Sequence, residues 1–257
     1  MSGREEQATI KDEEGTVASE LTRNGGVIGY RHDDLEVDPP YLYPEYVSTR
    51  TRAPKRPLVP LAHTLSEITG PVYGDERIGE LDHDLTRQYE EEPLGERIIV
   101  HGRLLDQDGK PVRNSLIEIW QANASGRYRH DGDQHPAPLD PNFAGGGRCM
   151  TDDDGHYEFI TIKPGAYPWK NNPNAWRSRH IHFSLFGPAF ATRLVTQMFF
   201  PGDPLFFQDP IFKSVPDPTD RERMICRYDH DRTVPEWALG YEFDIVLRGR
   251  DASPMED

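Results

Sequence analysis

Two histidines in the stretch WRSRHIHFSL, residues 176–185, are spaced in a way that could support metal chemistry. Polar and apolar residues alternate here, which predicts a β-strand with Ile181 and Phe183 on its core face and His180 and His182 on the other face. The two histidines would lie about 6.5 Å apart along that strand, and imidazole is a common metal ligand. The pattern fits half of a metal site, although on its own it is more typical of a solvated strand face.

The commoner site motifs supply no further ligand, because the sequence holds no HExxH, no zinc-type cysteine pair and no G-x-S-x-G. An iron site with two histidines and one carboxylate could draw on the HYE stretch. Alternation there, however, places Tyr157 and Phe159 on the core face and points His156 and Glu158 to solvent. The sequence therefore disfavours a zinc hydrolase, a serine hydrolase and a carboxylate-bound iron.

Two tyrosines remain as candidate ligands. QANASGRYRH places Tyr128 in a loop just past a predicted strand, and KPGAYPW places Tyr167 between a Pro-Gly turn and Pro168, where the backbone is stiff. Each alone is more typical of a buried tyrosine with a hydrogen-bonded hydroxyl. Together with the two histidines they suit Fe(III), because a phenol with a pKa of about 10 ionises at neutral pH only on a strong Lewis acid.

The elements that must position these residues are predicted to be strands. The chain has 257 residues with 22 Gly and 23 Pro, which favours short strands joined by turns. Alternating or apolar runs occur in RIIVHGRLL, SLIEIWQA, HYEFITI, TRLVTQMFF and YEFDIVLRG. The turn DQDGKPVRN predicts a hairpin or close connection between the first two, and HTLSEITG and DPTDRERMICRYD predict short helices.

These patterns predict an all-β fold, a β-sandwich of mostly antiparallel strands with a few short helices and long loops. Residues 1–60 are predicted to be an extended, partly disordered N-terminal arm, and residues 61–257 a single domain. Cys149 and Cys226 are expected to be packing residues in a reducing cytoplasm.

The charge of the chain limits the classes of molecule that it is expected to bind. The net charge of −15 argues against nucleic acid and anionic membranes, and no run is apolar enough for a membrane span or a signal peptide. The stretch RTRAPKR, residues 50–56, is basic throughout. It is either a solvated loop paired with acidic neighbours or a local attractor for a small anion.

Four motifs together, WQANASGRYRH, APLDPNFAGGGRC, TIKPGAYPW and WRSRHIHF, resemble the iron-binding chain of the intradiol ring-cleaving dioxygenase family. The resemblance runs in order from about Pro44 to Gly249, and the stretch from Phe206 to Tyr241 departs from it. It implies a mononuclear non-haem Fe(III) with solvent hydroxide as a fifth ligand. The implied protein ligands are Tyr128, Tyr167, His180 and His182, with Tyr167 and His180 as the axial pair.

The resemblance also implies roles around the iron. Tyr167 would act as general base as well as ligand, Arg177 would stabilise charge near the bound ring, and Gln197 would support the side that reacts with oxygen. Trp169 and Ile211 would shape the pocket. Tyr46 and Arg52, in the less closely aligned basic stretch, would hold a carboxylate on the substrate ring.

The implied reaction opens protocatechuate (3,4-dihydroxybenzoate) with O2 to 3-carboxy-cis,cis-muconate, and the basic stretch favours such an anionic ring. An enzyme for another catechol, such as catechol, hydroxyquinol or 4-sulfocatechol, and a non-catalytic partner subunit of the same fold are the alternatives. The implied partner is a homologous alpha subunit, in alpha-beta protomers of a larger oligomer.

Overall fold

The computed structural model describes residues 37–57, 78–170, 173, 175–186 and 193–255. Most of the predicted N-terminal arm and the predicted helix HTLSEITG lie outside these residues. The described residues form eleven strands and three short α-helices. The strands are β1 (Arg97–Leu105), β2 (Leu116–Trp120), β3 (Gly146–Met150), β4 (His156–Ile162), β5 (Tyr167–Trp169), β6 (Ala175–Arg177), β7 (His180–Phe186), β8 (Arg193–Phe199), β9 (Arg227–Val234), β10 (Ala238–Glu242) and β11 (Ile245–Val246). The helices are α1 (Thr49–Arg52), α2 (Pro210–Ser214) and α3 (Pro218–Glu222), with a 3-10 turn at Phe206–Gln208.

The strands form two main sheets and one small hairpin. In the first sheet, β1 pairs antiparallel with β4 on one edge and parallel with β10 and β11 on the other, and β9 continues antiparallel from β10. The second sheet has the order β3-β2-β7-β8 and is antiparallel throughout. Strands β5 and β6 pair with each other. The prediction of an all-β fold with mostly antiparallel strands is confirmed.

The core lies between the two main sheets. One continuous cluster of buried side chains joins Val100 and Phe159 of the first sheet to Ile117, Ile181 and Phe183 of the second. The rings of Phe159 and Phe183 meet edge to face at 5.8 Å between centroids, a geometry that favours aromatic pairs. Burial of this cluster makes the fold a β-sandwich and orients the alternate residues of each strand outward.

The hairpin that DQDGKPVRN allowed does not form, because β1 and β2 lie in different sheets. Both edges of β1 are already paired, so β2 finds its partners across the sandwich. The turn itself is as expected: the Asp106 carboxylate accepts from the amides of Asp108 (2.8 Å) and Lys110 (2.9 Å). It is the close connection between the two sheets.

The predicted helix DPTDRERMICRYD is shorter than expected. Only Pro218–Glu222 is helical, with Asp217 as its N-cap. Beyond it Met224 and Cys226 are buried, and the Cys226 amide donates to the Phe199 carbonyl at 2.9 Å. Burial of alternate residues against β8 outweighs helix propensity here.

Both cysteines are free and buried in the core, as predicted. Burial raises the pKa of the Cys149 thiol to about 12, and it does the same for the Cys226 thiol. Among the described residues we find no helix with the length and apolar character needed to cross a bilayer.

Candidate metal centre and active site

Strand β7 presents His180 and His182 on the face of its sheet that points away from the core. That face is buried as well, since the two histidines are 2% and 7% exposed. The burial of both histidines therefore excludes the interpretation that they lie on a solvated strand face. Cross-strand pairing sets Trp120 of β2 and Gln197 of β8 on either side of His182. The Trp120 and His182 rings stack at 4.7 Å and 6°, which fixes the plane of the imidazole.

Three donor atoms converge on one point. The Tyr128 hydroxyl lies 3.2 Å from His182 Nε2 and 3.5 Å from His180 Nε2, and the two Nε2 atoms are 3.2 Å apart. Tyr128 comes from the loop after β2, where the Asp133 carboxylate accepts from its amide at 2.8 Å. A strand and a loop thus deliver donors to the same place.

Tyr167 completes the group from the β5–β6 hairpin. Its ring centroid lies 5.6 Å from that of Tyr128 and 5.8 Å from that of His180. Pro168 follows it directly, and Tyr167 pairs across the hairpin with Arg177. The structure therefore brings all four predicted ligands together, from three separate segments of the chain.

The backbone sets the tautomer of His180. Its Nδ1 lies 2.6 Å from the Ser178 carbonyl oxygen, which only accepts, so Nδ1 carries the proton and Nε2 offers a lone pair. Burial, reinforced by the charges of Arg177 and His182, lowers the pKa of His180 well below its usual value. A neutral imidazole is the form that binds a metal.

Arg177 is a buried cation beside this group. It is 3% exposed, and its Nε lies 3.2 Å from both carboxylate oxygens of Asp209. Its Nη2 donates to Gln197 Oε1 in a short hydrogen bond, and its guanidinium carbon lies 5.5 Å from the Trp169 ring centroid. Arg177 thus interacts with both of the other predicted residues, Gln197 and Trp169.

A cavity of about 530 Å³ opens next to the donor atoms. Five of the predicted site residues line it, namely Tyr128, Tyr167, Trp169, Arg177 and His182. The other described lining residues are Trp120, His130, Gly132, Asp133, Gln134, His135, Pro168 and Lys170. Its volume lies within the range for small-molecule sites and is large enough for a single aromatic ring.

Three further predicted residues, Tyr46, Arg52 and Ile211, do not line the cavity. The Tyr46 ring packs on Trp169 at 5.2 Å, and the exposed Arg52 places its guanidinium carbon 4.6 Å from the Tyr46 centroid. Ile211 is buried in α2, where its amide donates to Asp209 Oδ1 at 3.0 Å. Tyr46 and Trp169 thus form a pair of packed rings with a cation at each end, Arg52 on Tyr46 and Arg177 on Trp169.

Two residues of the site, Trp120 and Asp209, were not predicted from the sequence. Trp120 sits inside the motif WQANASGRYRH, but only strand register shows that it stacks on His182. Asp209 is fully buried and accepts from the Arg177 side chain. The Asp-Pro pair that starts α2 is a helix N-cap signal and could have marked it.

Comparisons with known proteins identify the family of the chain. A dioxygenase family model matches residues 68–249, and the model of the N-terminal part of the protocatechuate 3,4-dioxygenase beta subunit matches residues 30–64. Among solved structures, 3-chlorocatechol 1,2-dioxygenase from Rhodococcus opacus 1CP shares the fold, with a TM-score of 0.51 and 19% identity over 94% of this chain and 92% of that one.

Two relatives place the chain more closely. A protocatechuate 3,4-dioxygenase beta chain from Burkholderia cepacia is 63% identical over 225 residues, 87% of this chain and 95% of the relative. A protocatechuate 3,4-dioxygenase alpha chain from Pseudomonas putida is 30% identical over 63% of this chain and 77% of the relative. The chain therefore belongs to the intradiol ring-cleaving dioxygenases, as an oxidoreductase of the protocatechuate 3,4-dioxygenase beta-chain type.

Proposed function

We propose that this chain binds Fe(III) and uses O2 to open protocatechuate between its two hydroxylated carbons, giving 3-carboxy-cis,cis-muconate. One observation carries the proposal: the Tyr128 hydroxyl and the Nε2 atoms of His180 and His182 lie within 3.5 Å of one another beside a cavity. The 63% identity to a beta chain of that enzyme supports the same substrate.

The donor set fits a high-valent iron. Within the described residues, no three His, Cys, Asp or Glu side chains are grouped closely enough to hold a metal. A metal beside His180 and His182 would thus need the phenol oxygens of Tyr128 and Tyr167, which are hard donors once ionised. When bound, Fe(III) would supply the Lewis acidity that ionises these phenols and that lets a catechol bind as a dianion, the form that reacts with O2.

Tyr167 is the proposed proton acceptor. A catechol loses two hydroxyl protons when it binds as a dianion, and a tyrosinate oxygen with an intrinsic pKa near 10 is a strong enough base for one of them. Tyr167 lies in the cavity wall, and Pro168 restricts its backbone. Its phenolate oxygen therefore takes a proton at the place where the substrate hydroxyl arrives.

Arg177 is the proposed electrostatic group. Its charge is buried in the cavity wall, and the Asp209 carboxylate and the Gln197 amide oxygen hold its guanidinium in place. A cation fixed in a low-dielectric site stabilises negative charge on the substrate ring without reorganising.

Tyr46 and Arg52 are proposed to hold the ring carboxylate. They lie behind Trp169, which lines the cavity: Tyr46 packs on Trp169, and Arg52 lies over Tyr46. Lys170 adds a second cation at the wall. Positive charge on this side favours a carboxylated catechol over catechol itself.

We also propose that the chain works with an alpha chain in a larger oligomer. A beta chain and an alpha chain of the same enzyme are both similar to this sequence.

The first experiment is the visible spectrum of the full chain, expressed with its alpha-chain partner and loaded with Fe(III). Tyrosinate bound to Fe(III) absorbs visible light, so we expect a red protein whose spectrum changes when protocatechuate is added without O2. A colourless iron-loaded protein would remove the tyrosines from the ligand set.

A substrate panel then tests the ring substituent. We expect the highest kcat/KM for protocatechuate, ahead of catechol, hydroxyquinol and 4-sulfocatechol. Arg52→Gln should lower kcat/KM for protocatechuate by about tenfold or more, because a charge-assisted hydrogen bond is lost, and leave that for catechol nearly unchanged. Equal losses for both substrates would contradict the carboxylate contact.

A further inference from the structure

Asp209 occupies a central position behind the cavity wall. It is fully buried. Its Oδ1 accepts from the amides of Ile211 and Phe212 at 3.0 and 3.2 Å, and its Oδ2 accepts from the amide and hydroxyl of Ser178 at 2.9 and 3.2 Å. Both oxygens lie 3.2 Å from Arg177 Nε. One carboxylate therefore joins α2 to the segment that follows β6.

We propose that Asp209 is a positioning residue that sets where the Arg177 guanidinium stands over the substrate cavity, a role that rests on the proposed function of Arg177. A buried guanidinium needs a compensating carboxylate, and Asp209 forms a buried salt bridge with it. Gln197 contributes only a neutral oxygen. Without the carboxylate, Arg177 would turn toward solvent or toward the cavity.

The same carboxylate also reaches the predicted ligands indirectly. Its Oδ2 holds the Ser178 amide, and the Ser178 carbonyl oxygen accepts from His180 Nδ1. Partners of this kind orient the groups that bind metal and substrate, and their loss typically costs 10- to 100-fold in affinity or activity. Asp209 is thus tied to Arg177 directly and to His180 through one residue.

Capping and positioning are separable by substitution. In Asp209→Asn the amide oxygen replaces Oδ1, and asparagine caps helices as well as aspartate does. The NH2 group then replaces Oδ2 and faces two other donors, the Ser178 amide and Arg177 Nε. The variant keeps the shape and the cap of α2 while it removes the charge that holds Arg177.

Asp203 provides a matched control. It is also buried, and it accepts from the Arg179 amide and from Arg179 Nη1, at 3.1 and 3.2 Å. It therefore fixes the same backbone segment, two residues beyond Arg177, and Arg177 is not its partner in any of these bonds. Asp203→Asn thus removes the charge of a buried carboxylate on the same segment and leaves the salt bridge between Asp209 and Arg177 intact.

The experiment compares wild type, Asp209→Asn, Asp203→Asn, Arg177→Gln and the Asp209→Asn/Arg177→Gln double variant, each as the full chain with its alpha-chain partner. We expect Asp209→Asn to keep its iron and to lose about 10- to 100-fold in kcat, while Asp203→Asn stays within about twofold of wild type. The loss in the double variant should be smaller than the product of the two single losses, because both changes remove the interaction between Arg177 and Asp209.

Crystal structures of the two asparagine variants give a readout that does not depend on turnover. We expect the Arg177 guanidinium to be displaced in Asp209→Asn and unmoved in Asp203→Asn. An unmoved Arg177, equal kcat losses in both variants, or multiplying losses in the double variant would each overturn the inference. If the wild type is inactive but Arg177 is displaced in the Asp209→Asn structure, the proposed function is refuted and the positioning role of Asp209 is still supported.

Discussion

Strands β4 and β7 begin with nearly the same pattern, HYEF and HIHF, yet their polar residues differ in solvent exposure. The apolar residues of both strands point into the core, where Phe159 and Phe183 touch. On the outer faces, His156 of β4 is exposed, whereas His180 and His182 of β7 are buried. Alternation thus predicts which residues share a face, but not whether that face meets water.

The difference lies in what covers each sheet. The outer face of β4 carries surface ion pairs, such as Glu158 with Arg232 of β9. The outer face of β7 lies beneath the β5–β6 hairpin and α2: the Tyr167 ring lies 5.8 Å from that of His180, and Phe212 packs on Phe199 of β8 at 5.0 Å. A polar residue under such cover needs a partner, and the partners here are the other candidate ligands.

The largest contrast is expected from histidine removal. His182→Ala should lose iron and activity together, because it deletes a donor atom at the point of convergence. His156→Ala, the matched change on β4, should keep both, since His156 is exposed and its ring is hydrogen-bonded to the Arg103 side chain at 3.1 Å, away from the candidate ligands. Iron content and kcat of the two variants test the contrast, and full iron in His182→Ala would remove that residue from the ligand set.

A smaller loss of activity is expected when the hydroxyl of Tyr167, whose ring packs over β7, is removed. Tyr167→Phe keeps the ring packed on Tyr128 and His180 and removes only the hydroxyl. We expect iron to be retained and kcat to fall about 10²- to 10⁴-fold, the usual contribution of a general base. Stopped-flow measurement of substrate binding should locate the defect at chelation, and unchanged turnover would refute the base role.

The inner faces should behave alike. Phe159→Ala and Phe183→Ala should each destabilise the fold by about 3–5 kcal/mol, because both leave a cavity in the same core. Their rings are in contact, so the double variant should lose less than the sum. Urea unfolding measures all three, and full additivity would contradict a shared core contact.

A pH effect follows from the buried thiols. Folding raises the pKa of Cys149 from its ordinary value to about 12, so the stability that its protonated form contributes is complete below pH 9 and declines as the pH rises toward 12. At pH 10.5 the loss is roughly 2 kcal/mol. Urea midpoints at pH 8 and 10.5 should fall less for Cys149→Val than for wild type, and parallel declines would contradict the shift.

The smallest effect is expected on the outer face of β4. Glu158→Gln should cost less than about 1 kcal/mol, because its pair with Arg232 is solvent-exposed. The difference in thermal stability between wild type and this variant should shrink as salt is added, because salt screens the exposed pair. A loss of several kcal/mol would mean that this face is covered like that of β7.

Several features could be predicted from sequence because they depend on local pattern. Alternation predicted the strands and their core faces, the Asp-Gly turns between strands were located by composition, and four motifs together indicated the family. The division at residue 60, the cytoplasmic location and the role of each site residue stay predictions. The hairpin between β1 and β2 was not formed, because strand pairing depends on which edges remain free.

By itself, the sequence determined the all-β class, the inward faces of the strands and the identity of the four candidate ligands, since these depend on residue type and near neighbours. Only the tertiary structure decided that Tyr128, Tyr167, His180 and His182 meet, that Trp120 stacks on His182, and that Asp209 holds Arg177. The physical reason is that these contacts join distant segments: Tyr128 and His182 lie 54 positions apart, and Trp120 and His182 lie further apart still. No local propensity encodes them; packing of the two sheets and of the elements that cover β7 creates them.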